Sequence, residues 1–168
     1  DPDLENEGSK FSVDFYLRAS DLASSEATSE MVVLDFLKKY DCHRVFWLNT
    51  VSPLQTIDDI KNFFHLTVDN NYSSSVAVTK HQVHANFNKL PINYDWKQNF
   101  LKTQDMSPVV CFNYSMMSWC KTEVKMLENG QLFNEETKMI ETSVWSNFLL
   151  KSQEDFLLIK KLASVSPH

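Results

Sequence analysis

The sequence predicts an α+β fold in which helices pack on one face of a curved antiparallel sheet. Apolar residues between Glu30 and His65 recur at helical spacing, and those after Tyr72 fall in strand-like runs. The helical stretches also come before the strands instead of alternating with them, which is the order of a segregated fold. Of the 168 residues 43% are hydrophobic, with twelve Phe, five Tyr and four Trp. That supplies a self-sustaining core and argues against disorder over most of the length.

Residues Asp1 to Lys10 are acidic and polar and read as a loose lead-in. Phe11-Ser-Val-Asp-Phe-Tyr-Leu17 alternates apolar and polar side chains, as a short strand or an extended packing segment does. A small, polar stretch from Ala19 ends in Thr28 and Ser29, either of which can cap a helix. Residues 1–28 are therefore set apart from a domain over 29–168. Val33, Phe36, Leu37 and Tyr40, continued by Val45 and Trp47, predict a long amphipathic helix from Glu30 to about Leu48, with a break near Cys42-His43. Ser52-Pro53 ends it. A second helix, Thr56 to His65, would bury Ile57, Ile60, Phe63 and Phe64 and carry Asp58 and Asp59 in its first turn.

Tyr72 to Thr79 is Ser-rich and β-branched, a strand, and Asn86 to Leu101 is mixed around Leu90-Pro91. Val109–Met116 and Trp119–Leu127 read as two strands joined near Met117-Ser118. Glu128-Asn-Gly-Gln131 is the strongest turn signal. Met139–Lys151 and Phe156–Val165 read as two last strands, separated by Ser152–Asp155.

Composition narrows the function. The only glycines are Gly8 and Gly130, which rules out a Gly-rich phosphate loop. The net charge is −6 and no run of Lys and Arg exceeds two, so the domain is a poor general binder of nucleic acid. Cys42, Cys111 and Cys120 are an odd set without C-x-x-C spacing, read as reduced thiols of an intracellular protein. No apolar run reaches the ~18 residues of a membrane span. With no signal peptide and no initial Met, the chain reads as a domain excised from something longer.

Candidate chemistry is sparse. His81-x-x-His84 could bring two imidazoles together on a helix, but no matching third ligand follows, so surface histidines and no metal are expected. Asp35, Asp41, Asp58, Asp59, Glu123 and Glu128 could pair as acids and bases; the inward strand positions are mostly Val, Phe, Met and Leu, which suits a filled core and no catalysis. Asn71-Tyr-Ser73 and Asn113-Tyr-Ser115 match the glycosylation pattern, by chance in a chain without a secretory signal. The informative feature is an apolar surplus on the later strands. Phe112, Tyr114 and Met116 are expected on one strand face and Val124 and Met126 on another. Large apolar groups on both faces point to a partner on the second face, or to a sheet covered on both sides by its own chain.

Five segments resemble the nuclear transport factor 2-like domain of TAP-type nuclear RNA export factors. They are Met31–Tyr40, Phe64-His65 before the Ser-rich strand, Phe87-Asn-Lys-Leu-Pro91, Glu128–Phe133, and Val144–Phe148 followed by Phe156–Ile159. The resemblance spans roughly Ser29 to Ser166 and implies a cone-shaped fold and a nuclear, non-catalytic role without a cofactor. It also implies heterodimerisation through an open sheet face with a small export cofactor of the same fold. Ser115 stands where that family has an acidic residue for the partner's arginine, so the interface would rest on Phe112, Tyr114, Met116, Val124 and Met126. The family's pocket for nucleoporin Phe-Gly repeats aligns with Ser29, Val32, Ser152, Phe156 and Lys160. Only Val32 and Phe156 keep its apolar character, so weakened nucleoporin binding is expected.

Three functions follow as expectations. The first is a heterodimerising scaffold in an export-factor paralogue, recruiting a silencing adaptor for nuclear RNA-guided (piRNA-type) silencing. The second is an mRNA export receptor that still binds nucleoporins. The third is a small enzyme or ligand carrier using the interior of the cone.

Overall fold

The computed structural model describes residues 4–165. Helix α1 (Leu4–Lys10) buries none of its residues. Phe11 and Ser12 form a turn bonded back to Gly8 and Ser9, with Ser12 at φ +55°; Val13 to Leu17 then joins no sheet, and a short 3₁₀ turn, Ser20–Ala23, buries Leu22. The lead-in thus carries a helix that its polar composition did not announce.

Helix α2 (Ser29–Lys39) follows Thr28, which holds the N-cap position without a side-chain capping bond. The expected continuation to Leu48 does not occur. Arg44–Leu48 forms strand β1 instead, paired antiparallel from Arg44↔Cys120 to Leu48↔Met116. Helix α3 (Ile57–Asp69) is one turn longer than expected. Its Thr56 Oγ accepts from the Asp59 N–H, and Phe63 and Thr67 are its buried residues, while Ile57 and Phe64 are exposed. Strand β2 (Ser74–His81) comes where the sequence predicts one. A two-residue hairpin, β3 (Asn86–Phe87) and β4 (Leu90–Pro91), interrupts the loop to strand β5 (Val109–Cys120).

β5 runs straight through the expected turn at Met117-Ser118 because Met116 to Cys120 is buried on both sides. A central strand covered on both faces reads as a continuous run of apolar and small residues, which hides its length. After it the chain turns to helix α4 (Val124–Glu128), so the strand expected over Trp119–Leu127 is absent. The Asn-Gly turn forms as expected, with Gly130 at φ +74°. Strand β6 (Lys138–Glu141) is short, and Val144–Asn147 is a 3₁₀ turn. Helix α5 (Gln153–Leu162) replaces the last expected strand, closed at its start by a capping box between Ser152 and Asp155.

The domain is therefore mixed α and β, its sheet ordered β1-β5-β2-β6. Pairings β1–β5 and β5–β2 are antiparallel, but β2–β6 is parallel, so no simple meander forms. β1, β2 and β6 point one way and β5 the other.

Both faces of the sheet are covered, which corrects the expectation of helices on one face. Val76 and Val78 of β2, exposed at 0% and 2%, pack with Val33 and Leu37 of α2, Met126 and Leu127 of α4, and Trp119. Ala77 between them, also 0% exposed, packs on the other side with Phe63 of α3, Met116 and Ile140. Adjacent strand residues point to opposite faces, so two separate cores flank one sheet.

Candidate functional site

The three co-directional strands end at Leu48, His81 and Glu141; β1 and β6 end beside an irregularity in β5, and β2 passes it and pairs on to His81↔Val109. Val76 to Val78 of β2 spans Met117 to Phe112 of β5, so β5 bulges there, with Tyr114 at φ +54°. The bulge redistributes the residues expected on one face. Phe112 and Tyr114 contact Phe133 on the α2–α4 side, whereas Met116 packs under α3. Val124 and Met126 lie on helix α4, not on a strand, and Met126 is buried in the first core. The residues expected on one strand face thus fall on both sides of the sheet and on α4, with Tyr114 exposed.

Polar groups fill the space at these strand ends. Asn113, in the bulge, is 1% exposed; its amide nitrogen donates to Thr79 and Thr142 hydroxyls at 2.9 Å each. Its amide oxygen accepts from the Ser115 N–H and hydroxyl at 3.0 and 2.8 Å. All its polar atoms are used, and the glycosylation pattern at Asn113 is inaccessible. Ser115 is likewise buried, its carbonyl taken by the Asn49 N–H at 2.8 Å.

The loop after β1 is stapled to this cluster. Gln55 donates to the Asn49 carbonyl at 2.9 Å, and the buried Ser52 hydroxyl donates to the Ser146 carbonyl at 2.8 Å. The Gln55 amide oxygen is buried without a partner. A buried acceptor left unpaired costs about 1–3 kcal/mol, so it marks a place where a donor belongs.

Asp59, in the first turn of α3, binds the segment after β6. Its carboxylate accepts from the Ser143 N–H at 3.0 Å and from the Ser143 and Ser146 hydroxyls at 2.5 and 2.7 Å. Burial pushes its carboxyl upward, but the hydrogen bonds from Ser143, Ser146 and Thr56 outweigh it and hold Asp59 below the ordinary aspartate value. A depressed pKa adds stability that is present above the unfolded value and lost as pH falls through the folded one. Asp59→Asn should therefore cost about 1–2 kcal/mol at pH 7, a difference that shrinks in acid, below about pH 4. Urea unfolding at pH 7 and pH 3 checks this; an equal difference at both would remove the charge from the account.

The other candidate residues scatter. His81 ends β2 and His84 lies in the following loop, its ring stacked on Phe100 at 3.9 Å, so the pair shares no helix. Among the described residues no group of three or more His, Cys, Asp or Glu is placed to hold a metal. Asp41 pairs with Lys121 and Glu128 with Lys38. Asp35 accepts from the Tyr16 hydroxyl, and burial together with that carboxylate raises the Tyr16 pKa to about 12. Cys42, Cys111 and Cys120 are free thiols.

The residues aligned with a nucleoporin pocket lie on two helices, α2 and α5, and at their starts. Ser29 opens α2, and Val32 lines a groove of about 640 Å³ with Phe36, Phe46 and Trp47. Ser152 caps α5, on which Phe156 and Lys160 are exposed; none of the three lines that groove. Sequence reasoning missed Gln55, Asn113, Thr142, Ser143 and Ser146, since polar residues scattered over four segments give no local pattern.

No family model matches the chain, and no curated protein does. Among solved structures, a 4-diphosphocytidyl-2C-methyl-D-erythritol synthase from Anaerococcus prevotii is similar in fold. It superposes over 96% of this chain and 78% of its own with a TM-score of 0.61, at 15% sequence identity. The likeness is one of fold.

Proposed function

We propose that the domain is a non-catalytic binding module for a cytidine nucleotide, or a cytidylyl conjugate of a small polyol, at the carboxyl edge of its sheet. The observation that carries this reading is the polar cluster, with one unpartnered buried acceptor, where the co-directional strands β1 and β6 end beside the bulge of β5. Ligands of α/β sheets bind outside the carboxyl ends of the strands. The fold is similar to that of a synthase whose name carries a diphosphocytidyl group and a methylated erythritol. Cytosine presents an exocyclic amine that uracil lacks, and the unpartnered Gln55 oxygen needs such a donor. Gly8 and Gly130 lie on α1 and after α4 and form no phosphate loop, so recognition is assigned to base and polyol and no transfer step to any residue.

Calorimetric titration tests this reading. CMP should bind about tenfold more tightly than UMP, the worth of one satisfied buried acceptor, and Gln55→Leu should erase the difference. Equal affinities in the parent protein, or no binding of either nucleotide, would overturn it.

A second reading keeps the protein-partner scaffold that the export-factor resemblance implies, together with its export cofactor, silencing adaptor and nuclear location. Consecutive exposed Phe156, Leu157 and Leu158 on α5 favour a partner surface. In this reading α5 carries the contact, because α2, α4 and α3 already occupy the sheet faces on which a cone would build its interface.

A further inference from the structure

Strand β1 is an edge of the sheet, and half of its backbone is unused. The Asn49 N–H donates to the Ser115 carbonyl and the Lys121 N–H to the His43 carbonyl, so odd-numbered positions along β1 bond to β5. The N–H and C=O groups of Arg44, Phe46 and Leu48 therefore point outward, and none has a hydrogen-bond partner among the described residues. An open edge of this kind is a template for another extended chain. β1 holds no proline to blunt it, and its one charge is Arg44.

The two faces of this edge differ in chemistry. On the α2 side Val45 and Trp47 line the groove of about 640 Å³ together with Val32 and Phe36 of α2. A strand laid against β1 would continue that side with apolar residues. On the α3 side the Arg44 guanidinium donates to the Ser118 hydroxyl at 3.2 Å and lies 5.9 Å over the Phe46 ring. Residues directly across two strands share a face, so the residue opposite Arg44 on an added strand would meet that guanidinium. Arg18 and Arg44 are the sequence's only arginines, and both line the groove. Neither is ion-paired among the described residues, and no carboxylate among them lines the groove, in a chain of net charge −6.

A second copy does not fit this edge. Its own β1, Arg44-Val-Phe-Trp-Leu48, would bring arginine to arginine and offers no carboxylate. Tyr16 holds the segment after α1 to Asp35 and Phe36 of its own α2.

We propose that β1 is a docking edge for an extended segment of a partner protein in which carboxylates alternate with apolar residues. The segment's main chain completes the ladder at Arg44, Phe46 and Leu48. Its apolar side chains enter the groove beside Val32 and Phe36, and its carboxylate on the α3 side pairs with Arg44. Neither Gln55 nor α5 takes part, so the contact stands apart from both functional readings above.

A ¹⁵N–¹H NMR titration of the whole chain with a capped Thr-Val-Glu-Val-Glu-Val-Thr peptide tests this, with Lys in place of Glu as the control. The Glu peptide should shift the amides of Arg44, Phe46 and Leu48 and slow their exchange. It should bind at least about tenfold more tightly than the Lys peptide, which sets like charges opposite. Arg44→Gln keeps a donor for Ser118 and should erase most of that preference. Leu48→Pro removes one outward N–H at an exposed edge position, which a folded edge strand tolerates, and should weaken the Glu peptide about fivefold. No binding, shifts centred elsewhere, equal affinity for the two peptides, or a preference unchanged in Arg44→Gln would overturn the proposal. So would a concentration-dependent dimer of the peptide-free chain that protects these same amides, since it would give the edge to a second copy.

Discussion

Trp119→Ala is expected to cost about 4 kcal/mol, within the range for removing a fully buried Trp from a core. Trp119 is completely buried on the α2–α4 side of the sheet, stacked on Phe133 at 5.8 Å and edge-on to Trp47 at 6.5 Å. Its indole N–H donates to the Leu132 carbonyl at 2.8 Å, which ties the turn after α4 to β5. Alanine removes the filling of that core and leaves a carbonyl unpaired. Trp119→Phe keeps most of the volume and should cost about 1–2 kcal/mol, so urea midpoints of the two variants separate packing from the hydrogen bond. Against a total stability of about 5–15 kcal/mol, the alanine variant loses a large share. A midpoint near the parent's would mean that this face of the sheet is not the tightly packed core described.

The second large effect is at Asn113. Asn113→Ala should destabilise by about 3 kcal/mol, because it strands the buried Thr79 and Thr142 hydroxyls and frees the Ser115 N–H that shapes the bulge. A double-mutant cycle makes the assignment specific. Thr142→Val should cost about 1 kcal/mol in the parent and almost nothing in the Asn113→Ala background, since the partner is already gone. Additive costs would show that the two side chains do not share a bond.

The misread segments share a physical cause. Val45 and Trp47 were read as continuing the helical spacing of α2, yet they face one core and Phe46 between them faces the other, the alternation of a strand. A period read over so few residues cannot separate the two, and the β-branched and aromatic content was the better guide. Phe156 to Ile159 looked like a strand for the same reason, although Ser152 and Asp155 spelled a capping box and Lys160 and Lys161 lie in the last turn. β2, α3 and the turn at Gly130 were legible because cap, period and turn chemistry agreed there. The site was not. Asn113, Gln55, Asp59 and Ser143 come from four segments, and only the parallel placement of β6 beside β2 brings them to one edge. A parallel pairing across some sixty residues leaves no local trace in the sequence.

The proposed ligand site is the carboxyl edge of a sheet covered on both faces. The most direct measurement is a ¹⁵N–¹H NMR titration of the chain with CMP, following every backbone amide. Shifts confined to Asn49–Thr56, Asn113–Ser115 and Thr142–Asn147 are the predicted result. Shifts centred on Phe36, Phe46 and Trp47, or no shifts at saturating nucleotide, would contradict it.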